Sequence, residues 1–260
     1  MTIAILQGFV TNQGDAWSHT LDRLDHYFTA AMGLPLPVLP AAFSVDLLDA
    51  APPDEAAGLI GDFLKSARLL GRRTAEMHMC LASEQSLPEF KPEPFSKLYQ
   101  RALYQSMRTQ AGKVLPLLRR QFNRLPENLR PLVVFVMEHE KDLIDRFKEL
   151  LESKIGAMRI RCHGDYHLGQ VLFTGNDFII IDFEGEPARP ITERRIKRSA
   201  LRDVAGMLRS FQYAAHAGVL RRQENGVSPE TFAELGHWAE FWQRWVGAEF
   251  LKSYLQQASG

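Results

Sequence analysis

Apolar residues at spacings of three and four run through most of this chain, and the pattern turns extended at residue 158 before helical spacing resumes near residue 200. Such spacing lays one face of a helix against a core, so most of the chain must fold as amphipathic helices. DAWSHTLDRLDHYFTAAMG starts on an N-cap at Asp15 and stops on Gly33. From Asp54, DEAAGLIGDFLKSARLLGRRTAEMHMCLAS reads as one long helix after a Pro-Pro-Asp start. Residues 94–122 and 126–155 give two more, parted by Leu-Pro-Glu-Asn, and helices are predicted over about 200–223 and 229–257. Between them MRIRCHGD, QVLFTGN and DFIIIDF are short and rich in β-branched and aromatic residues, and Gly175-Asn176 marks a hairpin turn. The order is helices, a small central β element and helices again. It predicts an α+β, mostly helical domain with one β-hairpin at its centre, undivided by any repeat or low-complexity tract.

A chain of 260 residues buries enough surface to fold without disulfide staples. Its 31 Lys and Arg balance 31 Asp and Glu, so nucleic acid and anionic membrane are not expected partners. The longest clean apolar run, PLVVFVM at 131–137, falls far short of the ~20 residues a bilayer requires. The start, MTIAILQGFVTNQ, has no basic n-region. Two cysteines, Cys80 and Cys162, make no disulfide framework, so a reducing cytoplasm is the expected compartment.

The chemistry concentrates in RCHGDYHLGQVLF, residues 161–173. Phosphoryl transfer by kinases uses an Asp at the acceptor hydroxyl, then an amide oxygen and a second Asp that hold Mg²⁺. Kinase loops of the form H-R-D-x-x-x-x-N followed by D-F-G have that spacing. Here Asp165 is followed five positions on by Gln170, and across a hairpin Asp182 opens Asp-Phe-Glu-Gly. The two intervening strands bring Gln170 and Asp182 to one end of the hairpin. Two other readings compete. Cys162, His163 and His167 could hold zinc, although no second Cys pair or H-E-x-x-H accompanies them. Asp165 could simply form a turn and Asp182 cap a strand. The agreement of both acids with kinase spacing favours phosphoryl transfer.

HGDYHLGQ resembles the H-G-D-x-H-x-x-N loop of aminoglycoside-phosphotransferase-like and choline-kinase-like small-molecule kinases, with Gln in place of Asn. The chain is more closely similar to the maltokinase family, including the maltokinase part of trehalose synthase fusions. NQGDAW (12–17), LGRRTAEMH (70–78), HGDYHLGQVL (163–172), IDFEGEPARP (181–190) and LRDVAGMLRSFQYAA (201–215) carry that resemblance nearly end to end. It implies a protein-kinase-like C-terminal lobe that passes a phosphoryl group from ATP to maltose, giving maltose 1-phosphate, with Mg²⁺ as cofactor. By the same resemblance Asp165 is the base or orienter for the sugar's anomeric hydroxyl, and His163 braces the loop. Gln170 and Asp182 are then the Mg²⁺ ligands. His167 meets the metal or phosphate, or packs behind them. Glu184, two residues past Asp182, approaches metal or sugar, or stays solvated. A same-fold kinase for another hydroxyl compound and a non-catalytic sugar-binding or scaffold module remain the alternatives.

Kinases of this fold grip ATP with a second lobe, through a Gly-rich loop and a strand Lys. The 18 glycines here form no G-x-G-x-x-G and no G-x-x-x-x-G-K. Residues 1–13 accordingly read as the hinge segment left over from an absent N-lobe, and 14–260 as the catalytic C-lobe. A separate N-lobe or a trehalose synthase domain is the expected protein partner.

HWAEFWQRWVGAEFLKSY, from His237, puts Trp238, Trp242, Trp245 and Glu249 in one helical stripe. Such a stripe fills a core or lends one ring to a sugar face. The maltokinase pattern W-x7-F-L-x-x-Y fits Trp242, Phe250, Leu251 and Tyr254. That makes Trp242 and Tyr254 the expected sugar contacts, with Arg209 as a further sugar or acid partner. His78 reads as a packed core histidine near the loop, and Asp203 as a helix cap that braces it.

Overall fold

Side-chain caps fix where the long helices begin. In a computed structural model that describes residues 8–40, 45–84, 86–224 and 226–259, Asp15 accepts from the Ser18 N–H at 2.7 Å and Ser228 from the Thr231 N–H at 3.2 Å. Each satisfies one of the helix's otherwise orphaned donors. The elements in chain order are α1 (Ala16–Ala31), α2 (Val45–Asp49), α3 (Asp54–Ile60), α4 (Phe63–Ser83), β1 (Glu93–Pro94), α5 (Lys97–Gln121), α6 (Arg130–Glu138) and α7 (Glu140–Glu152). There follow β2 (Met158–Arg159), β3 (Val171–Phe173), β4 (Phe178–Ile180), α8 (Ile191–Arg194), α9 (Leu201–Glu224) and α10 (Pro229–Ala258). The chain forms two compact units, residues 1–92 with 160–260 and residues 93–159. The sequence does not anticipate that division.

In the first unit α10 packs on α4 and α9, with α1 alongside. Trp238, Phe241, Trp242 and Phe250 of α10, with Leu24 and Phe28 of α1 and Met207 and Phe211 of α9, are at most 1% exposed. Each such side chain contributes about 1.5–3 kcal/mol by leaving water. The helices α4 and α10 approach closely because residue 71 is Gly: a Cβ there would lie 2.3 Å from the Phe250 carbonyl oxygen. The single helix expected from Asp54 is interrupted at Gly61, whose φ of 59° and ψ of −134° leave the helical region at no steric cost to glycine. The predicted ends of α9 and α10 agree with the structure within two residues.

The hairpin forms as expected, with Val171 opposite Ile180, Leu172 opposite Ile179 and Phe173 opposite Phe178. Its turn is tied down by Asp177, which Arg73 of α4 grips with Nε on one carboxylate oxygen and Nη2 on the other, both at 2.8 Å. Such forked pairs fix direction as well as distance. Residues 13–15 run beside β3, Gln13 giving its N–H to the Phe173 carbonyl at 2.7 Å and Phe173 returning one to Gly14 at 2.9 Å. The outer edge of β3 is thereby set against the segment that leads into α1.

In the second unit β1 pairs with β2, Glu93 opposite Arg159 and Pro94 opposite Met158, so the extended segment at 158 pairs with residues 93–94. Buried Gln100 of α5 donates to the Leu150 and Ser153 carbonyls at 2.6 and 2.7 Å, capping the end of α7. The helix predicted over 126–155 starts at Arg130 and breaks at His139, where φ is −98° and ψ 17°. Among the described residues no helix is long and apolar enough to cross a membrane.

Candidate active site

Beyond the last hairpin pair the Ile181 N–H donates to the Gln170 carbonyl at 3.0 Å, so the residues leading into β3 and out of β4 start side by side. Asp182 follows at once. It is the one non-glycine residue with positive φ, 63°, among those described. Left-handed backbone is costly to a residue with a Cβ and least so to Asp or Asn, and where it persists the surroundings enforce it. The HGD loop and the Asp-Phe-Glu-Gly turn touch: a Cβ on Gly164, itself at φ 90°, would lie 3.3 Å from the Gly185 Cα.

The HGD loop is held from behind by buried groups. Asp203 of α9, 1% exposed, accepts the His163 N–H at 2.7 Å and the Gly164 N–H at 3.0 Å. It also accepts from His78 Nε2 of α4 at 3.1 Å, which leaves His78 Nδ1 to accept from the Tyr254 hydroxyl of α10 at 3.0 Å. Burial alone raises the Asp203 pKa. The His78 hydrogen bond, the charge that ring carries when protonated and the two backbone N–H groups outweigh it and bring the carboxyl below its ordinary value. Burial pushes the Tyr254 hydroxyl up to about 12, with the Cys162 and Asp203 charges adding, so it stays a donor. The His163 ring, 1% exposed, donates from Nε2 to the Ile181 carbonyl at 2.8 Å, joining the loop to the segment between β4 and Asp182. Two further tethers sit beneath: the Tyr166 hydroxyl on Thr74 at 2.8 Å, and the Leu168 N–H on the Ser210 hydroxyl at 3.1 Å.

This bracing leaves Asp165 and His167 lining a cavity of about 540 Å³ with Trp17, Glu186, Arg202 and Arg209. The Gly169 N–H donates to His167 Nδ1 at 3.1 Å, so Nε2 carries the ring proton and stands 3.9 Å from an Asp165 carboxylate oxygen. Asp182 and Glu184 line a second cavity, about 530 Å³, with Phe9, Val10, Leu172 and Phe183. Glu184 is exposed and lies 4.0 Å from Arg194 Nη1. Arg209 donates twice to the Tyr213 hydroxyl, at 2.8 and 3.1 Å, on the rim of the Asp165 cavity.

Two expected sugar contacts lie elsewhere. Trp242 is 1% exposed, packed on Phe63 and Phe211, and offers no face to a ligand. Tyr254 is 4% exposed and spends its hydroxyl on His78. The aromatic stripe of α10 is core, and Glu249 within it is paired with Arg68. Of the residues considered for zinc, Cys162 donates its thiol toward the Ser199 carbonyl at 3.5 Å. Burial, with the Asp203 charge adding, pushes that thiol up to about 12 and keeps it protonated. Among the described residues no three His, Cys, Asp or Glu side chains converge as a metal cluster. The sequence did not single out Trp17, Glu186, Arg202 or Tyr213. Each falls inside one of the strings NQGDAW, IDFEGEPARP and LRDVAGMLRSFQYAA, which was the available signal.

Comparison with known proteins places this arrangement. Glucosamine kinase from Streptacidiphilus jiangxiensis is 32% identical over 79 residues, 30% of this chain and 18% of that one. Glucosamine kinase from Mycolicibacterium smegmatis is 35% identical over 101 residues, 36% of this chain and 25% of that one. A glucosamine kinase solved in complex with glucosamine, ADP and inorganic phosphate superposes with a TM-score of 0.63 at 21% identity, over 95% of this chain and 49% of that one. At that identity the likeness shows the fold, and the chain spans about half the length of the solved relative. The profile of the phosphotransferase enzyme family matches residues 27–185, from within α1 through the HGD loop to Gly185. That stretch is more than half of the 260 residues, and the chain belongs to the phosphotransferase enzyme family.

Proposed function

We propose that this chain is the acceptor-side lobe of a sugar kinase, passing the γ-phosphoryl group of ATP to a sugar hydroxyl. The observation that carries the reading is Asp165 lining a cavity of about 540 Å³ on a loop whose backbone N–H groups are held by buried Asp203. A carboxylate so placed orients the acceptor hydroxyl and takes its proton as the phosphoryl group arrives. His167, 3.9 Å away, steadies that carboxylate and helps carry the charge that develops. His163 positions rather than reacts, since both ring nitrogens are committed within the loop and to Ile181.

Gln170 and Asp182 offer an amide oxygen and a carboxylate, hard donors of the kind Mg²⁺ accepts when phosphates complete its shell. Bound with ATP, the ion would neutralise the phosphates. Glu184 stands on that cofactor side, in the same cavity as Asp182. The phosphate-covering groups that the 260 residues lack would come from a separate N-lobe, and a trehalose synthase domain is a further candidate partner. The two free thiols suit a reducing cytoplasm.

The acceptor proposed from the sequence blocks is maltose, giving maltose 1-phosphate. A second acceptor, an amino sugar, is favoured by Glu186. Its carboxylate faces no Lys or Arg within ion-pair distance among the described residues, and it lines the Asp165 cavity, where an ammonium group would pair with it. The relatives named as glucosamine kinases point the same way. The test is transfer from γ-labelled ATP-Mg to maltose, glucosamine, glucose and choline offered in competition. Label on a sugar supports the reading, and its identity decides between the two acceptors. Label on choline alone sinks it.

A further inference from the structure

The sequence holds four tryptophans. Three are core: Trp238 and Trp242 are 1% exposed and Trp245 6%. Trp17 differs. It packs partly on the core and yet lines the cavity that Asp165, His167 and Gly169 also line. Its place is fixed from both sides. Asp15, two residues earlier, caps α1 through the Ser18 N–H at 2.7 Å and bridges Leu172 of β3. Trp17 therefore sits in the first turn of α1, anchored against the same hairpin that carries the HGD loop.

The two tyrosines that also line this cavity are already engaged: Tyr166 is 3% exposed with its hydroxyl on Thr74, and Tyr213 is held by Arg209. The Arg209 guanidinium lies over the Tyr213 ring, 5.0 Å from its centroid, and donates to its hydroxyl. Trp17 is left as the aromatic surface of a cavity that otherwise presents carboxylates and guanidinium groups. A pyranose has matching chemistry, with C–H groups on its faces and hydroxyls around its rim. Apolar and aromatic walls with a few placed polar groups are how small-molecule sites bind and orient, and a large amphipathic ring such as indole suits a partner that is apolar on one side and wet on the other.

We propose that Trp17 is a specificity-determining residue on which the sugar ring of the acceptor packs, with Glu186 and Arg209 taking its hydroxyl or amino groups. Trp17 thereby fills the role that the sequence pattern assigned to Trp242. The cavity's acceptor role rests on the kinase reading. The packing itself requires no phosphoryl transfer.

Because the other three tryptophans are buried, a water-soluble quencher such as acrylamide reports mainly on Trp17. Quenching of tryptophan emission is measured on the full chain with and without maltose, glucosamine, glucose or choline, beside calorimetric titration of each. Trp17→Leu and Trp17→Phe are compared with the parent, with circular dichroism as the folding control. At least one sugar is expected to shield the quenchable emission. Affinity for it should fall roughly tenfold in Trp17→Leu, the equivalent of the upper end of an aromatic contact, and recover in Trp17→Phe. Sugar binding that leaves quenching unchanged, equal affinity in parent and Trp17→Leu, or no binding of any sugar tested overturns the proposal. If Trp17→Leu fails to fold, shielding in the parent and the affinity of Trp17→Phe decide. Sugar shielding without any phosphoryl transfer would instead sink the kinase reading and leave this one standing.

Discussion

Asp203 gathers donors from two segments, the HGD backbone and the His78 ring, and its carboxyl is pulled below the ordinary 3.8. A group whose folded pKa is depressed stabilises the fold above its unfolded pKa and loses that contribution as pH falls through the lower folded value. Thermal melts taken from about pH 5 down to about pH 3 should therefore show Tm falling more steeply for the parent than for Asp203→Asn, which has no such proton to take up. Parallel slopes would mean that Asp203 is not the titrating brace. At Asp182 the expectation concerns metal. Asp182→Ala should raise the Mg²⁺ concentration needed for half-maximal transfer more than it raises the sugar KM, and Gln170→Ala should do so more mildly because no charge is lost. Mg²⁺ titrations that overlay the parent for both variants would remove the pair from the metal site. The spacing of Asp165, Gln170 and Asp182 is local, and the hairpin does bring the Gln170 backbone beside Ile181. Asp165 and Asp182 nevertheless line two different cavities, which spacing alone does not reveal. Trp17 and Glu186 were not legible, since the cavity they share is assembled from segments far apart in the chain. Trp242 misled for a related reason: one helical stripe of aromatic residues describes both a core and a sugar platform, and only burial separates them.

The helices offer a sharper test of packing. Gly71 and Gly236 both sit inside helices, where replacing Gly by Ala gains up to about 1 kcal/mol of helix propensity. At Gly236 nothing lies within 4 Å of the new Cβ, so Gly236→Ala should raise Tm. At Gly71 the methyl would meet the Phe250 carbonyl at 2.3 Å, a backbone atom that cannot rotate away. Overpacking there costs about 1–3 kcal/mol and outweighs the propensity gain. Gly71→Ala should lower Tm, and differential scanning calorimetry of the two variants reads both signs. A rise for Gly71→Ala would mean that α4 and α10 are not in the contact described. Helix ends were legible where a cap announced them, as at Asp15. The breaks at Gly61 and His139 were hidden, because apolar spacing continues across both and periodicity carries no mark of a local change in φ and ψ. The β1–β2 pairing joins residues more than sixty positions apart, a register that no local pattern encodes.

On the proposed reading the chain carries one half of a phosphoryl-transfer apparatus, with Asp165 lining one cavity and Asp182 a second. The 260 residues hold no glycine-rich phosphate loop, and the chain spans about half of the solved relative it matches. Preorganised positive charge around the transferring group is usually the largest catalytic contribution, so turnover by these residues alone should be slow and should require high ATP-Mg. The decisive measurement is the rate of label transfer from γ-labelled ATP-Mg to the sugar that binds, in the parent and in Asp165→Asn, with melting curves confirming that both are folded. The expected result is slow, Mg²⁺-dependent transfer that Asp165→Asn lowers by about 10²–10⁴-fold, the usual cost of losing a positioned base. A parent that forms no labelled sugar phosphate, or an Asp165→Asn rate equal to the parent's, would contradict it.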